Sequence, residues 1–155
     1  MACDKIALLD LIAKTRLWAR VGRIHTRIYE WSDGRIGLHA GGLSHLLLTT
    51  RGRKSGRSRT VPLTFLRDRE RLVLVASNGG SDRHPAWWLN LSAEPRATVR
   101  VGRETYEVVA ERAEGPERDR LWERLAEYNP FYRSYARITE RDIPVVVLNP
   151  SHGGR

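Results

Sequence analysis

"HLLLTTRGRKSGRSRTVPLTFL", residues 45–66, sets a glycine-punctuated basic turn between two apolar runs. Runs rich in Leu, Val and Thr and bounded by turn residues read as strands, so the segment reads as a hairpin. A third such run, "RLVLVAS" at 71–77, follows the polar "RDRE", and the three together read as an antiparallel meander. Pro62 has no amide hydrogen to give to a strand ladder, so the second strand is expected to be an edge, or bulged at that point.

Downstream, "NGGSDRHPAWWLNLSAEP" at 78–95 opens on a glycine turn, carries Pro85 where a first helical turn tolerates it, and ends at Pro95, which predicts a short helix over 85–93. "ATVRVG" and "ETYEVVAER" read as two strands joined tightly around Gly102 and Arg103. Pro116 opens a helix to Tyr128 with Leu121, Trp122, Leu125 and Ala126 on its apolar side, and a last strand is expected over 143–148. Upstream, Ile6, Leu9, Ala13, Leu17, Val21, Ile24, Ile28 and Trp31 recur at three-to-four spacing, which predicts a long amphipathic helix over 4–31. Its other side is basic, through Lys5, Lys14, Arg16, Arg20, Arg23 and Arg27. That pattern fits a helix packed on its own domain with a solvated cationic face, and it also fits peripheral contact with an anionic membrane.

The order is helix, three strands, helix, two strands, helices, strand, without βαβ repetition. It predicts an α+β, mainly β fold: a small antiparallel barrel of about six strands with helices outside it. No composition break divides the chain, so one domain is expected over 1–155, with the barrel at 44–149. Cys3 is the only cysteine, which excludes an internal disulfide and suits a reducing cytoplasm. No apolar run approaches the ~20 residues that span a bilayer, so the protein is read as cytoplasmic, soluble or peripheral.

Net charge is +9, carried by 24 Arg against three Lys. Guanidinium forks suit carboxylate and phosphate, so an anionic partner is expected: nucleic acid, a membrane surface or a phosphorylated cofactor. Within residues 49–60, Arg51, Arg53, Lys54, Arg57 and Arg59 surround Gly52 and Gly56, glycines that permit positive φ and let amides converge on an anion. It is not a nucleotide P-loop, because three residues and not four separate the glycines and a strand follows. A solvated hairpin loop has the same composition, and composition alone does not choose between them.

Two further stretches are candidates. "SNGGSDRHPAWW" combines small residues at a strand end with Trp87 and Trp88 at a helix start, a place where a flat ring could lie against backbone amides; a glycine loop with two core tryptophans is the simpler account. "YNPFYRSY" gathers Tyr128, Phe131, Tyr132 and Tyr135, either core or a pocket wall whose phenols need partners. The five histidines show no metal-ligand spacing, and no nucleophile, metal or paired-carboxylate site is apparent, so any chemistry is expected to belong to a bound cofactor.

The three candidates, in this order, resemble the deazaflavin (coenzyme F420)-dependent nitroreductase family of split β-barrel oxidoreductases. The resemblance rests on "LLLTTRGRKSGRSRTVPLTFLRD", "LVLVASNGGSDRHPAWWLNLSAEPRATVRVG" and "DIPVVVLNP", with a looser match through the N-terminal helix and its "WSDG". It implies that Arg53, Lys54, Ser55, Arg59, Thr60, Val61, Pro62, Leu63 and Thr64 hold the phosphate and tail of F420. It further implies that Val75, Ala76, Ser77, Asn78, Ala86, Trp87, Trp88, Leu89 and Asn90 surround the deazaflavin ring. Tyr132 and Tyr135 fall on the acceptor side, and Tyr132 is the candidate catalytic residue, as a hydrogen-bond or proton donor.

The implied reaction is hydride transfer from reduced deazaflavin to an electron-poor small molecule: a quinone, an activated alkene or a nitroaromatic. Thr64, Asn78 and Asn129 stand where the best-known members carry tyrosine, lysine and tyrosine, departures that bear on the acceptor more than on the cofactor. An FMN-dependent split barrel is the alternative enzyme, and a non-catalytic F420 binder the alternative outside catalysis. The aromatics cluster with apolar neighbours and do not interleave with the basic turn, which argues against nucleic acid.

Overall fold

The computed structural model describes residues 39, 40 and 42–151. The helix expected at 4–31 lies outside them. The strands are β1 (His39–Ala40), β2 (Leu43–Arg51), β3 (Ser58–Thr64), β4 (Leu66–Asp68), β5 (Arg71–Val75), β6 (Arg96–Val101), β7 (Glu104–Arg112) and β8 (Val145–Pro150). The helices are α1 (Ala86–Ala93), α2 (Gly115–Tyr128) and α3 (Phe131–Ile138), with a 3-10 turn at Asn78–Gly80. All strands pair antiparallel in the order β1-β2-β6-β7-β8-β5-β4, and β3 pairs with the other side of β2.

The expected meander breaks at one residue. The run read as a single second strand divides at Phe65 into β3, at one side of the sheet, and β4, at the far edge beyond β5. Two edges joined by one residue oblige the sheet to curl until they approach. The result is a curled antiparallel half-barrel of seven strands, with the two-residue β1 added beside β2. Phe65 is buried in the interior, and its amide donates to the Ser44 carbonyl at 3.0 Å, fixing the crossing point. Among the described residues the strands therefore number eight, against the about six expected, and the last strand starts two residues later than expected, at Val145.

Alternation sorts the core into two sides. Leu72, Leu74, Val146 and Leu148 face inward with Leu46, Leu48, Phe65, Val99 and Val108. Val73, Val75, Val145 and Val147 face outward beneath Leu121 and Leu125 of α2 and Tyr132 of α3. Strands covered on both faces read as unbroken apolar runs, which is why "RLVLV" and "PVVVL" show no polar alternation. Pro62 sits in β3, which among the described elements pairs only with β2, as its missing amide hydrogen requires.

Candidate functional site: a basic groove and a latched turn

Between β2 and β3 the chain turns through Gly52–Arg57, closed by the Gly52 amide on the Arg57 carbonyl (2.8 Å) and the Gly56 amide on the Gly52 carbonyl (2.7 Å). Gly56 has φ +66, as expected of it. Gly52 serves differently from the sequence expectation, because its φ is ordinary and its need is space. A Cβ there would lie 2.9 Å from Ser55 Oγ and 3.1 Å from the Arg57 carbonyl oxygen. The amides of Lys54 and Ser55 meet no acceptor among the described residues and sit exposed beside three cations.

Helix α1 holds this turn from below. Asn90 is buried, its Oδ1 accepts from the Arg53 amide (3.1 Å) and guanidinium (3.4 Å), and its Nδ2 donates to Thr50 Oγ1 (3.1 Å). The space between turn, β3 and α1 is a groove of about 380 Å³ lined by Thr50, Gly52, Arg53, Lys54, Ser55, Arg59, Thr60, Val61, Ala86, Trp87 and Asn90. Nine of these are the residues that the resemblance assigned to the cofactor; Gly52 was singled out from the sequence only for its backbone freedom, and Thr50 was not singled out. Trp87 is both groove wall and core, buried against Ala76 and Leu91, and Trp88 packs half-buried on the same cluster, outside the groove lining. Leu89 is half-buried on the same helix.

From the groove, β3 runs about 20 Å for its seven residues, carrying Pro62, Leu63 and Thr64 toward a second group of candidates. Thr64 Oγ1 lies 3.2 Å from His45 Nε2, whose Nδ1 lies 3.0 Å from the Leu43 carbonyl oxygen. Tyr132 is buried on α3, and burial pushes its phenol up to about 12, while hydrogen bonds with Asn129 and Thr64 pull the other way. It is a neutral hydroxyl across the physiological range, suited to donating a hydrogen bond. Tyr135 lies beside it, ring centroids 6.5 Å apart, and stacks on exposed Phe131.

Helix α3 packs on the glycine turn that follows β5. Val75, Ala76 and Ser77 are buried there, and Asn78 adopts φ +47 with its side-chain amide donating to the Arg83 carbonyl at 2.9 Å. Gly80 is buried at φ +79, and a Cβ on it would stand 2.5 Å from Ile138 Cδ1 and 3.3 Å from the Tyr135 Cα. The Gly80→Ala variant is expected to lose about 1–2 kcal/mol from the left-handed backbone alone, with Ile138 displaced, as a lowered midpoint in urea unfolding.

Arg141, which the sequence reading passed over, ties this turn to the strand that follows α3. Its Nε donates to the Ser81 carbonyl (2.7 Å) and its Nη2 to the carbonyls of Ala76 (3.0 Å) and Ser77 (2.7 Å). Its Nη1 reaches His84 Nδ1 and the Asp142 carbonyl oxygen, each at 3.3 Å. Desolvation, and then the nearby charges of Arg141 and Arg112, lower the pKa of His84, half-buried before Pro85, which favours the neutral ring that can accept from Arg141. No group of His, Cys, Asp and Glu suited to a metal ion occurs among the described residues.

The model of one protein family, described as F420H(2)-dependent quinone reductase, matches residues 20–150. An F420H(2)-dependent quinone reductase of Mycobacterium tuberculosis is 41% identical over 130 residues, covering 81% of this chain and 87% of the relative. Among solved structures, an F420-H2 dependent reductase superposes with TM-score 0.63 at 37% identity, covering 68% of this chain and 93% of that one. A structure described as a domain-swapped dimer superposes with TM-score 0.67 at 34% identity, over 87% of this chain and 99% of that one.

Proposed function

Because this chain belongs to the F420H(2)-dependent quinone reductase family, we propose that the groove beneath the basic turn receives the anionic tail of F420 and that the ring lies toward α3. The enzyme is an F420-dependent oxidoreductase acting on quinones, and its fold is that of the split-barrel F420-dependent reductases. The observation that carries the placement is the groove itself. Arg53, Lys54 and Arg59 line one hollow together with Ser55, the Lys54 and Ser55 amides meet no acceptor among the described residues, and β3 leads from there to Thr64, which hydrogen-bonds with Tyr132. That arrangement fits a long cofactor with a phosphodiester and carboxylates at one end and a flat apolar ring at the other.

F420 supplies the hydride chemistry when bound; the protein's part is alignment and exclusion of water. Arg53, Lys54, Ser55 and Arg59 bind the anionic chain, and Thr60 to Thr64 line its path. The backbone from Val75 to Asn78, with Ala86 and Trp87, supports the ring. Tyr132 donates a hydrogen bond from its neutral hydroxyl to the acceptor, beside Tyr135. Thr64, Asn78 and Asn129, smaller than the tyrosine and lysine expected from other members, widen the acceptor side.

Purified protein titrated with F420 at micromolar concentration is expected to show saturable quenching of tryptophan fluorescence, since Trp87 lines the groove. Reduced F420 with a soluble quinone is expected to regain its oxidised visible absorbance. A protein that holds FMN and ignores F420 would overturn the placement. A cytoplasmic protein that meets the membrane through the basic face of residues 4–31 is part of the same reading, because quinones of respiratory chains are membrane-soluble. Failure to cosediment with anionic liposomes would remove that part alone.

A further inference from the structure

The guanidinium of Arg141 has five N–H groups, and all five are spent on the segment from Ala76 to His84 and on its own neighbour Asp142. Three go to backbone carbonyls of Ala76, Ser77 and Ser81. A trans peptide unit points its C=O and its N–H in opposite directions. With the carbonyls of Ala76 and Ser77 drawn onto Arg141, the amides of Ser77 and Asn78 are aimed to the far side. Neither amide, nor that of Gly79, meets an acceptor among the described residues, although Ser77 is buried.

The latch is reinforced on both sides. The Thr139 hydroxyl accepts from the Arg141 amide (3.3 Å) and donates to Asp82 Oδ1 (2.8 Å), while the Ala76 amide donates to the Pro144 carbonyl (2.9 Å). The segment on either side of α3's end is thus pinned to the turn, and α3 itself carries Tyr132 and Tyr135.

We propose that Arg141 is a positioning residue for the ring-supporting turn: it holds the Ala76–Ser77–Asn78 backbone so that its amides face the cofactor's polar ring edge, and it fixes α3 and Tyr132 relative to that edge. The inference rests on the placement of the ring given above. A cation on the carbonyl side also polarises those two peptide units, which strengthens their N–H groups as donors to the carbonyl oxygens of a deazaflavin. Lysine cannot take the place of arginine here, because three donors on one nitrogen cannot reach acceptors spread around a planar fork.

The test compares wild type with Arg141→Lys and Arg141→Ala. Three things are measured: the F420 dissociation constant by fluorescence, the visible spectrum of the bound oxidised cofactor, and the thermal midpoint. Both variants are expected to bind F420 at least tenfold more weakly, and the bound spectrum is expected to move toward that of free F420. Millimolar guanidinium is expected to restore part of the affinity and spectrum to Arg141→Ala and nothing to wild type. A spectrum and dissociation constant unchanged in Arg141→Lys would overturn the proposal, as would a loss that follows the thermal midpoint and is not rescued by guanidinium. Should Arg141→Ala fail to fold, the Arg141→Lys spectrum decides. Wild type that does not bind F420 would overturn the ring placement itself, whereas binding wild type with indifferent variants would overturn only the role of Arg141.

Discussion

Asp68→Asn lowers the stability of the fold at neutral pH by about 2 kcal/mol, seen as a loss of about 6 °C in thermal midpoint for a chain of this size. The Asp68 side chain, 6% exposed, receives Nη2 of Arg71 at 2.7 Å, both terminal nitrogens of Arg120 at 3.0 and 3.3 Å, and Arg124. One carboxylate thus fastens the β4–β5 hairpin to α2, whose Leu121 and Leu125 cover the outer face of β5 and β8. Breaking a buried pair costs about 3–5 kcal/mol, and arginines 27–48% exposed recover part of that by returning to water. The hydrogen bond from Arg120 is the largest cause holding the carboxyl well below the usual carboxylate range, against desolvation and helped by Arg71 and Arg124. A depressed pKa contributes stability that is complete above the unfolded value of about 3.9 and is lost as pH falls through the folded one. The gap between wild type and variant should therefore be constant from pH 7 to about 5 and close below pH 4. A gap that stays open in acid would mean that packing, not charge, is what Asp68 supplies.

Most of what the sequence made legible is local. The apolar runs of β5 and β8, the hairpins around Gly56 and Gly102, and helices opening near Pro85 and Pro116 all depend on spacing and turn chemistry within a few residues. Phe65 is the counterexample. Nothing in "PLTFLRD" marks the point where one apolar run leaves one side of the sheet for the opposite edge, since each half alternates as a strand should. The groove's lining was named through the resemblance, whose motifs gather its cations in one turn and end "PAWWLN" on Asn90; composition alone left that turn undecided. Arg141 was not legible. All but one of its acceptors lie 57 to 65 residues away, and they are mostly backbone carbonyls, so no pattern of residue types announces them. Gly52 was noticed for the wrong property: a sequence can suggest that a glycine is needed, but not whether φ or a missing Cβ is the reason.

Arg53→Ala combined with Arg59→Ala is expected to weaken F420 binding about 100-fold, roughly 2.7 kcal/mol, while Arg51→Ala combined with Arg57→Ala leaves it nearly unchanged. All four arginines are exposed and lie within nine residues, so net charge changes equally in the two double variants. What separates them is direction. Arg53 and Arg59 line the groove with Lys54, whereas Arg51 and Arg57 do not: Arg51 lies by Gly56, and Arg57 contributes its backbone to the turn. A guanidinium that meets a phosphate or carboxylate in a hollow partly shielded from water gains charge-assisted hydrogen bonds; one in open solvent adds only a field that salt screens. The wild-type dissociation constant should accordingly rise with ionic strength, and that dependence should flatten in Arg53→Ala/Arg59→Ala but persist in Arg51→Ala/Arg57→Ala. If both arginines serve one phosphate, the single variants will each cost more than half of the double. Equal losses in the two double variants would mean that F420 is drawn by net charge alone, and that the groove beneath Gly52–Arg57 is not where its anionic tail lies.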